Sequence, residues 1–448
     1  MLLREEGTGA AIARHVINLG LASWTFKMVQ DRVPLPYLDE IFHIPQAQKY
    51  CMGEFSSWDP KITTPPGLYI IGYLHSYLFK IFSPDPDTFC SVKTLRHANL
   101  IGLIAFLPLA VVMIKKSLST ADAICSFPLL AFFGFLYYTD VWSTVFILAA
   151  MAVGLKESVY TNVLSAVLAG TSILFRQTNV VWAAFVAVYL LHPKKLVDKN
   201  NFVEDILQLV QRAITTPSIT IPYGLVGALF LAFVQYNGGI ALGDKSNHVA
   251  GVNIPQLFYA SLFFLFFSWP IWLSPTFIRR YLNFHFRSPM GLAKYILACA
   301  VIAGIIEKLT VIHPFILADN RHYTFYIWRR LISPSYHEHA KFLMVPVYHL
   351  GIWTFITTLY QTSPTSWVLT TTFIGAIAAT LVPSPLFEAR YYIVPYIVWR
   401  LLQGRIEPRR EWAEWVWYSL INLLTFYVFL NYGFKWPGYD DEIMRFMW

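Results

Sequence analysis

Long apolar stretches separated by short polar segments recur from one end of the chain to the other. A helix that crosses a bilayer needs about 20 mostly apolar residues, and many of these stretches approach that length. They predict membrane spans at residues 10–29, 97–114, 121–138, 142–156, 158–175, 178–192, 217–236, 256–276, 291–312, 342–361, 367–383, 390–404 and 413–433. The pattern therefore predicts an all-α polytopic membrane helical bundle of about 13 spans. We expect residues 1–448 to form a single integral-membrane unit.

The amino-acid composition supports a membrane protein. Of the 448 residues, 56% are hydrophobic and only 13% are charged, which is about half the charged share of a typical soluble domain. The net charge of +8 suits basic cytoplasmic loops, and no basic low-complexity tail indicates nucleic-acid binding. No small-residue cleavage pattern follows the weakly apolar stretch 17–29, so we interpret it as a retained anchor.

Lysine and arginine are concentrated in four short loops, at residues 115–116, 192–200, 279–287 and 405–412. Basic loops favour the cytoplasmic side of a membrane. The loops between them are therefore predicted on the other side, at 30–96, around Asp140, around Arg176, and at 237–255, 313–341 and 384–390. The apolar stretch "TTPPGLYIIGYLHSYLFKIF" would reverse this order if it crossed the membrane. We expect it to lie in the membrane interface as an amphipathic helix.

The first non-cytoplasmic loop begins with the sequence "PYLDEIFHIPQAQKYC", in which Asp39 and Glu40 precede apolar residues at helical spacing. A helix N-terminus stabilises an ionised carboxylate. Such a carboxylate, held at the membrane surface, can accept a proton from a hydroxyl group. Asp39 and Glu40 are thus candidates for a general base. The alternative is a solvated pair of loop carboxylates without a chemical role.

Three other non-cytoplasmic segments carry polar clusters. The sequence "LYYTDVWST" contains Asp140, "FRQTN" contains Arg176 and Gln177, and "NGGIALGDKSNH" contains Asp244. An arginine at membrane depth requires an anion, and the glycine-rich loop lacks the spacing of a nucleotide-binding P-loop. Each cluster also has an ordinary interpretation, as an interfacial helix cap, a turn or a plain loop.

The segment "HPFILADNRHYTFYIWRR" is the densest polar cluster after the first loop and contains His313, Asp319, Asn320, Arg321, His322, Tyr323 and Tyr326. Arginine binds phosphate through a fork of donors, and tyrosine suits stacking against sugars. Arg390 follows Glu388 by two residues in "EARYYIVPY", so an internal ion pair competes there with anion binding. Basic residues on the non-cytoplasmic side depart from the positive-inside rule, which favours an anionic ligand.

The cysteines Cys51, Cys90, Cys125 and Cys299 show neither metal-ligand spacing nor a disulfide framework. No HExxH or DxD motif is present. A transferase that uses a sugar nucleotide usually needs a carboxylate motif and a divalent ion for the diphosphate. We therefore expect no metal, no cofactor and a sugar donor without a nucleotide.

Nine blocks of sequence resemble, in the same order, the dolichyl-phosphate-glucose-dependent α-1,2-glucosyltransferases of the lipid-linked oligosaccharide pathway. They are "PYLDEIFHIPQAQKYC", "WDPKITTPPGLY", "LYYTD", "FRQTN", "NGGIALGDKSNH", "PQLFY", "LADNRHYTFYIWRR", "EARYYIVPY" and "RFMW". The resemblance implies a C-type glycosyltransferase fold in the endoplasmic reticulum membrane, with the active site facing the lumen and interfacial helices in loop 30–96. It implies an inverting transfer of glucose from dolichyl phosphate β-glucose to a diglucosylated, mannose-rich oligosaccharide on dolichyl pyrophosphate.

The resemblance also implies roles for the candidate residues. Asp39, with Glu40 beside it, is the implied catalytic carboxylate. The candidates for binding the donor phosphate are Arg321, His322, Arg176 and Arg390. The candidates for binding the substrates are His43, Asp140, Gln177, Asp244, Asn320 and Tyr323. One departure from the family pattern is at Asp140, which is followed by Val141 and Trp142 instead of small residues.

Other functions remain open from the sequence. A transferase with a mannosyl donor or a protein acceptor would share the fold and the chemistry, because sugars differ by a few hydroxyl contacts that sequence does not locate. A polytopic transporter would also contain charges in the membrane, but it usually shows internal repeats and broken helices, and the sequence shows no repeat. A non-catalytic membrane scaffold would tolerate the loss of both first-loop acids.

Overall fold

The computed structural model describes residues 8–82, 86–192, 201–245, 250–334, 337–362, 366–438 and 442–448, and these are almost entirely helical. The α-helices are α1 (Thr8–Arg32), α2 (Glu40–Cys51), α3 (Gly67–Phe82), α4 (Val92–Ile101), α5 (Leu107–Lys115), α6 (Leu118–Cys125), α7 (Pro128–Gly134), α8 (Asp140–Gly154), α9 (Val159–Ile173), α10 (Asn179–Leu191), α11 (Phe202–Thr215), α12 (Pro217–Asn237), α13 (Pro255–Trp272), α14 (Pro275–Phe286), α15 (Pro289–Leu309), α16 (Pro314–Ala318), α17 (Tyr323–Ile327), α18 (Val345–Thr362), α19 (Trp367–Leu381), α20 (Ile393–Leu402) and α21 (Pro408–Asn431).

Short irregular elements connect some of these helices. Turns of 3-10 helix occupy Pro86–Thr88, Ala340–Met344 and Ala389–Tyr392. Turns of π-helix occupy Gly102–Phe106, between α4 and α5, and Trp328–Ile332, after α17. The strands β1 (Gly433–Phe434) and β2 (Met444–Arg445) pair antiparallel, with Gly433 opposite Arg445.

Several helices have the length and composition of membrane spans. In the described part of the chain, five are long and apolar enough to cross a membrane: Val92–Lys115, Pro217–Asn237, Pro289–Leu309, Ala340–Tyr360 and Pro408–Asn431. Shorter apolar helices are Asp140–Gly154, Val159–Ile173, Asn179–Leu191 and Trp367–Leu381. The prediction of an almost entirely α-helical, multi-pass membrane protein is confirmed, whereas the number of about 13 spans and the C-type glycosyltransferase fold stay predictions.

One predicted span is divided in the structure. Residues 121–138 were expected to be continuous, but α6 ends at Cys125 and α7 begins at Pro128. Proline has no N–H to donate to the preceding turn, and it suits the first position of a new helix. The short α7 is followed by a turn that contains Tyr137 and Tyr138, and both are buried just before α8 begins at Asp140.

The described chain divides into two compact units. The first unit comprises Met1–His248 with Ser366–Ala376, and the second comprises Val249–Thr365 with Ile377–Trp448. The expectation of one functional unit over the whole chain stays a prediction.

Helices α8 and α9 form an antiparallel pair at the centre of the first unit. Gly154 of α8 permits close approach, because a Cβ atom added there would lie 2.9 Å from the Ser165 hydroxyl of α9 and 2.4 Å from Leu190 of α10. That hydroxyl donates to the Ala150 carbonyl at 2.7 Å and lies 2.7 Å from the hydroxyl of Tyr223. These bonds satisfy polar groups that would otherwise be buried without partners.

The core of the second unit is aromatic, where α13 packs against α18 and α21. Phe264 stacks on Trp399 with ring centres 5.6 Å apart. Near these rings Arg400 and Glu414 form a buried pair, with Nε to Oε1 at 2.9 Å and Nη2 to Oε2 at 2.9 Å. Two charges removed from water are stable only when they bind each other well, so this pair requires α20 and α21 in one relative position.

A disulfide joins Cys51, at the end of α2, to Cys90, just before α4, with Cα atoms 6.5 Å apart. The expectation of no disulfide framework is therefore wrong for these two residues. Their separation of 39 positions carries no recognisable pattern, and only the fold brings them together. Disulfides persist in oxidising compartments such as the lumen of the endoplasmic reticulum. Both cysteines lie in loop 30–96, which the distribution of basic residues predicts on the non-cytoplasmic side.

Replacing Cys51 by serine should release a reactive thiol at Cys90 and destabilise the first loop. Closing a loop of this length removes about 3–4 kcal/mol of chain entropy from the unfolded state. We expect maleimide to label Cys90 in unreduced membranes from Cys51→Ser but not from the parent protein. The thermal midpoint of the detergent-extracted protein should also fall. The variant Cys299→Ser is the control and should change neither result; labelling of Cys90 in the unreduced parent would contradict the disulfide.

Candidate active site

The adjacent acids Asp39 and Glu40 have different environments. Leu38, just before them, has a φ angle of +52°, a left-handed conformation that turns the chain into α2. Glu40 is the first residue of α2 and is completely buried, whereas Asp39 is partly exposed. The two carboxylates therefore differ in access to a substrate, although the sequence presents them as a pair.

Glu40 forms a two-pronged ion pair with Arg96, on α4, which is also completely buried. Arg96 Nε donates to Oε1 at 2.8 Å, and Nη2 donates to Oε2 at 2.6 Å. The backbone N–H groups of Tyr37 and Tyr137 also donate to this carboxylate, at 2.9 Å and 2.6 Å. Arg96 uses its remaining donors on the carbonyl groups of Val33 and Leu35 and on the side-chain oxygen of Gln30. Glu40 is thus fully engaged in holding the start of the first loop.

Asp39 lies beside tyrosine and histidine side chains. Its backbone N–H donates to the Tyr138 hydroxyl at 3.1 Å. One turn further along α2, His43 Nδ1 lies 2.8 Å from the hydroxyl of Tyr69, on α3. Burial raises the pKa of Tyr69, and the carboxylate of Asp39 contributes in the same direction. The partly exposed Asp39 and His43 therefore each contact the hydroxyl of a buried tyrosine, Asp39 that of Tyr138 and His43 that of Tyr69.

Asp140 and Arg176 form an ion pair in the same unit. Asp140 is the first residue of α8 and only 3% exposed, and its Oδ1 lies 2.8 Å from Arg176 Nη2. Arg176 follows the end of α9, and its side chain is 16% exposed. The guanidinium group is thus oriented by a buried carboxylate and remains partly accessible. The separate segments "YYTD" and "FRQTN" meet at this ion pair.

Gln177 connects two loops through their backbones. Its side-chain amide donates to the carbonyl of Thr63 at 2.6 Å and to that of Ile240 at 3.2 Å. The backbone of Asp244 donates to the carbonyl of Pro60 at 3.1 Å, so loop 237–245 lies directly on residues 60–63. The Gln177 side chain therefore holds loop 237–245 and residues 60–63 against each other. His248, the last residue of "NGGIALGDKSNH", lies outside the described residues.

These contacts define a single group of residues, which we call the first-unit polar cluster: Asp39, Glu40, His43, Asp140, Arg176, Gln177 and Asp244. Hydrogen bonds link the segments that carry them. The Tyr137 hydroxyl donates to the Leu68 carbonyl at 2.7 Å, and the Gly67 N–H donates to the Leu174 carbonyl at 2.8 Å. Loops predicted to share the non-cytoplasmic side thus meet in this unit.

In the second unit, residues 319–323 pack against the C-terminal segment. The N–H of Tyr323 donates to the Met447 carbonyl at 2.8 Å, and the N–H of Met447 donates to the Arg321 carbonyl at 2.9 Å. His322 Nδ1 lies 3.0 Å from the carbonyl oxygen of Trp448. The indole of Trp436 donates to Asn320 Oδ1 at 2.8 Å. The segments "LADNRHYT" and "RFMW" therefore belong to one structural feature.

The arginines of the second unit are oriented by acids close in sequence. Arg321 donates Nε to Asp319 Oδ1 at 2.9 Å and Nη2 to Oδ2 at 2.7 Å, and its guanidinium lies 4.6 Å from the ring centre of Trp436. Burial alone would raise the pKa of Asp319, but the hydrogen bonds and charges of Arg321 and His322 outweigh it and lower that pKa. Arg390 pairs with Glu388 at 2.8 Å, as the alternative interpretation of "EARYY" proposed.

Sequence reasoning missed several residues that shape these clusters. Arg96, Tyr138 and Trp436 bind the candidates directly, and none of them was among the residues that the sequence pointed to. A basic residue at the predicted start of a span was the available signal for Arg96. Within the described ranges, no three His, Cys, Asp or Glu side chains are arranged to hold a metal ion.

The described chain is a helical membrane protein that gathers carboxylates, arginines and aromatic side chains in the loops between its apolar helices. Residues 33–401 match the DIE2/ALG10 family, and the chain belongs to it. No solved structure matches the chain.

Curated relatives in the comparison carry the name Dol-P-Glc:Glc(2)Man(9)GlcNAc(2)-PP-Dol alpha-1,2-glucosyltransferase. One from Yarrowia lipolytica is 35% identical and covers 96% of both chains. One from Debaryomyces hansenii is 37% identical over 94% of this chain and 96% of its own. One from Homo sapiens is 38% identical over 92% of this chain and 93% of its own.

The variant Gly243→Ala tests the contact between loop 237–245 and residues 60–63. A Cβ atom at this position would lie 2.2 Å from the Pro60 carbonyl oxygen and 2.6 Å from that of Ile62. The two loops must then separate, and a displacement of about 1 Å near reacting groups costs up to about 100-fold in rate. We expect glucosyl transfer by purified protein to fall by about 10- to 100-fold.

The matched control is Gly239→Ala, in the same loop. No atom lies within 4 Å of a Cβ added at Gly239, so this variant should retain activity. Equal activity of the two variants would contradict a close approach of these loops in the active enzyme.

Proposed function

We propose that the protein transfers glucose from dolichyl phosphate glucose to Glc2Man9GlcNAc2 carried on dolichyl pyrophosphate, and that it forms the terminal α-1,2-glucosidic bond. One observation carries the proposal: relatives with this printed activity align with more than nine-tenths of the chain at 35–38% identity. The clustered loop residues supply the kinds of groups that the reaction needs. We place the enzyme in the endoplasmic reticulum membrane with its reactive groups towards the lumen, and the disulfide in loop 30–96 supports that side.

In our mechanism Asp39 is the general base. Its carboxylate accepts the proton of the acceptor 2-hydroxyl as the oxygen attacks the anomeric carbon of the donor glucose. The new C–O bond forms on the face opposite the phosphate, and the bond from the anomeric carbon to the phosphate oxygen breaks. A β-linked donor therefore yields an α-linked product, and dolichyl phosphate leaves with the electron pair. The partial exposure of Asp39 beside His43 supports its choice.

Glu40 has a positioning role in this mechanism. Its carboxylate is buried and accepts hydrogen bonds from Arg96, Tyr37 and Tyr137. Both oxygens of this carboxylate are occupied by these donors, and the side chain has no exposed surface through which a substrate hydroxyl could approach. The sequence left open whether Glu40 could take the place of Asp39, and we propose instead that the two acids have different roles.

We propose that arginines stabilise the negative charge on the departing dolichyl phosphate. The candidates are Arg176 in the first unit and Arg321, His322 and Arg390 in the second. Arg176, Arg321 and Arg390 are each partly exposed and each paired with a carboxylate. An arginine carries five N–H donors, so a carboxylate can orient its guanidinium while other N–H groups bind phosphate. Removing one such preorganised donor weakens the stabilisation of the transition state by about 3 kcal/mol.

The remaining candidates either bind the sugar substrates or hold other side chains and loops in position. His43, Asn320 and Tyr323 stay proposed substrate contacts because each is partly exposed. Asp140 is buried and orients Arg176, and Gln177 binds two backbone carbonyls, so we propose that both act through the groups they hold. Asp244 lies on residues 60–63 and stays a proposed sugar contact.

The variants Asp39→Asn and Glu40→Gln separate the base from the positioning residue. Asp39→Asn should reduce turnover by about 10²- to 10⁴-fold, the usual contribution of a general base, and should leave the folded yield unchanged. Glu40→Gln leaves the buried Arg96 charge without its full partner, which costs about 3–5 kcal/mol, so the folded yield itself should fall. The measurements are hexose gain on a synthetic acceptor by mass spectrometry and size-exclusion recovery.

Glu54→Gln changes an exposed acid of the same loop and is the control, with turnover and yield expected to match the parent. Normal turnover of Asp39→Asn would refute the base assignment. Hexose gain from dolichyl phosphate mannose in place of the glucose donor would refute the proposed donor.

The variant Arg321→Lys tests phosphate binding in the second unit. Lysine keeps the charge but loses the fork of donors, so the donor KM should rise by about tenfold, equal to ~1.4 kcal/mol, while the acceptor KM is unchanged. Arg329→Lys, at an exposed position eight residues further along the chain, is the control and should leave both constants unchanged. An equal rise in both KM values for Arg321→Lys would indicate a loss of loop structure instead.

A further inference from the structure

Helix α11 exposes an apolar face that nothing in the described first unit covers. Its N-terminus is capped by Asn201, whose side chain accepts from the Glu204 N–H at 3.2 Å. Six large apolar side chains of this helix are between 38% and 74% exposed: Phe202, Val203, Ile206, Leu207, Val210 and Ile214. At 3.6 residues per turn these positions fall on one side of the helix.

The polar side of α11 holds it to the rest of the first unit. Asp205 is buried, and its Oδ1 lies 3.0 Å from Nε2 of His192, just after α10. The same His192 nitrogen lies 2.6 Å from the hydroxyl of Ser366. Arg212 Nη1 donates to the His192 carbonyl at 3.5 Å. The helix is therefore fixed by polar contacts while its apolar side chains point away from the protein.

A third sector of the helix is exposed and polar. Gln211 and Thr215 lie between the apolar face and the side that contacts the protein, and both are exposed. The circumference of α11 thus divides into a sector that contacts protein, an apolar exposed sector and a polar exposed sector. This division is typical of helices that lie in the plane of a membrane, with protein beside them, acyl chains on one side and water on the other.

The neighbouring helix identifies what covers the apolar face. Helix α12, which is long and apolar enough to cross a membrane, begins at Pro217, two residues after α11 ends. Its outward side chains Ile221, Leu225 and Leu229 are between 58% and 68% exposed, as lipid-facing side chains are. The apolar surface of α11 therefore adjoins the end of a spanning helix. The sequence just before α11, "HPKKLVDKN", adds three lysines, which are attracted to anionic headgroups.

We propose that α11 lies in the membrane plane and docks on the bilayer surface at the N-terminal end of α12, the side that the basic loops predict as cytoplasmic. The apolar face enters the boundary between headgroups and acyl chains, and Gln211 and Thr215 face water. Polar attachment through Asp205 and His192 fixes the depth at which α11 meets the lipid. This assignment is independent of the catalytic proposal, because it rests on exposure, helix continuity and charge.

Spin labels placed around α11 test its depth. The full-length protein, with Cys125 and Cys299 replaced by alanine, is labelled with a nitroxide at Leu207→Cys or Val210→Cys. It is then reconstituted in vesicles of phosphatidylcholine and phosphatidylglycerol. Collisions with oxygen, which concentrates in the bilayer, are compared with collisions with a neutral nickel complex, which stays in water. We expect oxygen collisions to dominate at both positions. Retained glucosyl transfer by each labelled variant serves as the check on folding.

Gln211→Cys is the matched control on the same helix, and nickel collisions should dominate there. Dominant nickel collisions at positions 207 and 210 would overturn the proposal, because the apolar face would then meet water. Protection from both agents would overturn it in favour of a covering protein, such as a second copy of this chain. Oxygen-dominated collisions at position 211 would also overturn it, because α11 would then be immersed in the membrane.

Discussion

The buried ion pair between Glu40 and Arg96 determines where the first loop lies. Neither side chain contacts solvent, and such charges are stable only when each is bound by its counter-charge and by further hydrogen bonds. The arginine also binds the carbonyl groups of Val33 and Leu35, and the glutamate also accepts from Tyr137. The entry to α2 therefore has one well-satisfied position relative to α4. Asp39, one residue earlier, stays partly exposed as a result.

The two tyrosines before α8 extend this constraint to both acids. The backbone of Tyr137 binds the carboxylate of Glu40, and the hydroxyl of Tyr138 accepts from the backbone of Asp39. The amide of Asn99 donates to the Tyr138 carbonyl at 2.7 Å and to the Leu136 carbonyl at 2.8 Å, which holds this turn against α4. The candidate base Asp39 is thus positioned by buried groups of α4 and of the turn before α8, as a preorganised site requires.

The sequence predicted the helical membrane character and several elements of the candidate site. Apolar length and the distribution of basic residues are local properties, and they indicated both the helices and the loops that meet around Asp39 and Asp140. Partners could not be predicted, because pairings such as Glu40 with Arg96 depend on how distant segments pack. For the same reason no local pattern predicted the bond between Cys51 and Cys90 or the pairing of Met447 with residues 321–323. The division of roles between Asp39 and Glu40 follows from burial, which adjacent letters do not reveal.

The disulfide has a consequence for the order of assembly during synthesis. Cys51 and Cys90 both precede α4, so their bond can form as soon as this loop reaches an oxidising compartment, before the ribosome has made the later helices. Helix α3 and the residues before it would then already lie within a covalent ring, which starts at the last residue of α2, when Tyr137, Leu174 and Asp244 arrive to bind Leu68, Gly67 and Pro60. Early formation of the disulfide reduces the number of conformations that residues 51–90 can adopt before the later segments bind them. Nascent chains would thereby acquire a preassembled docking surface.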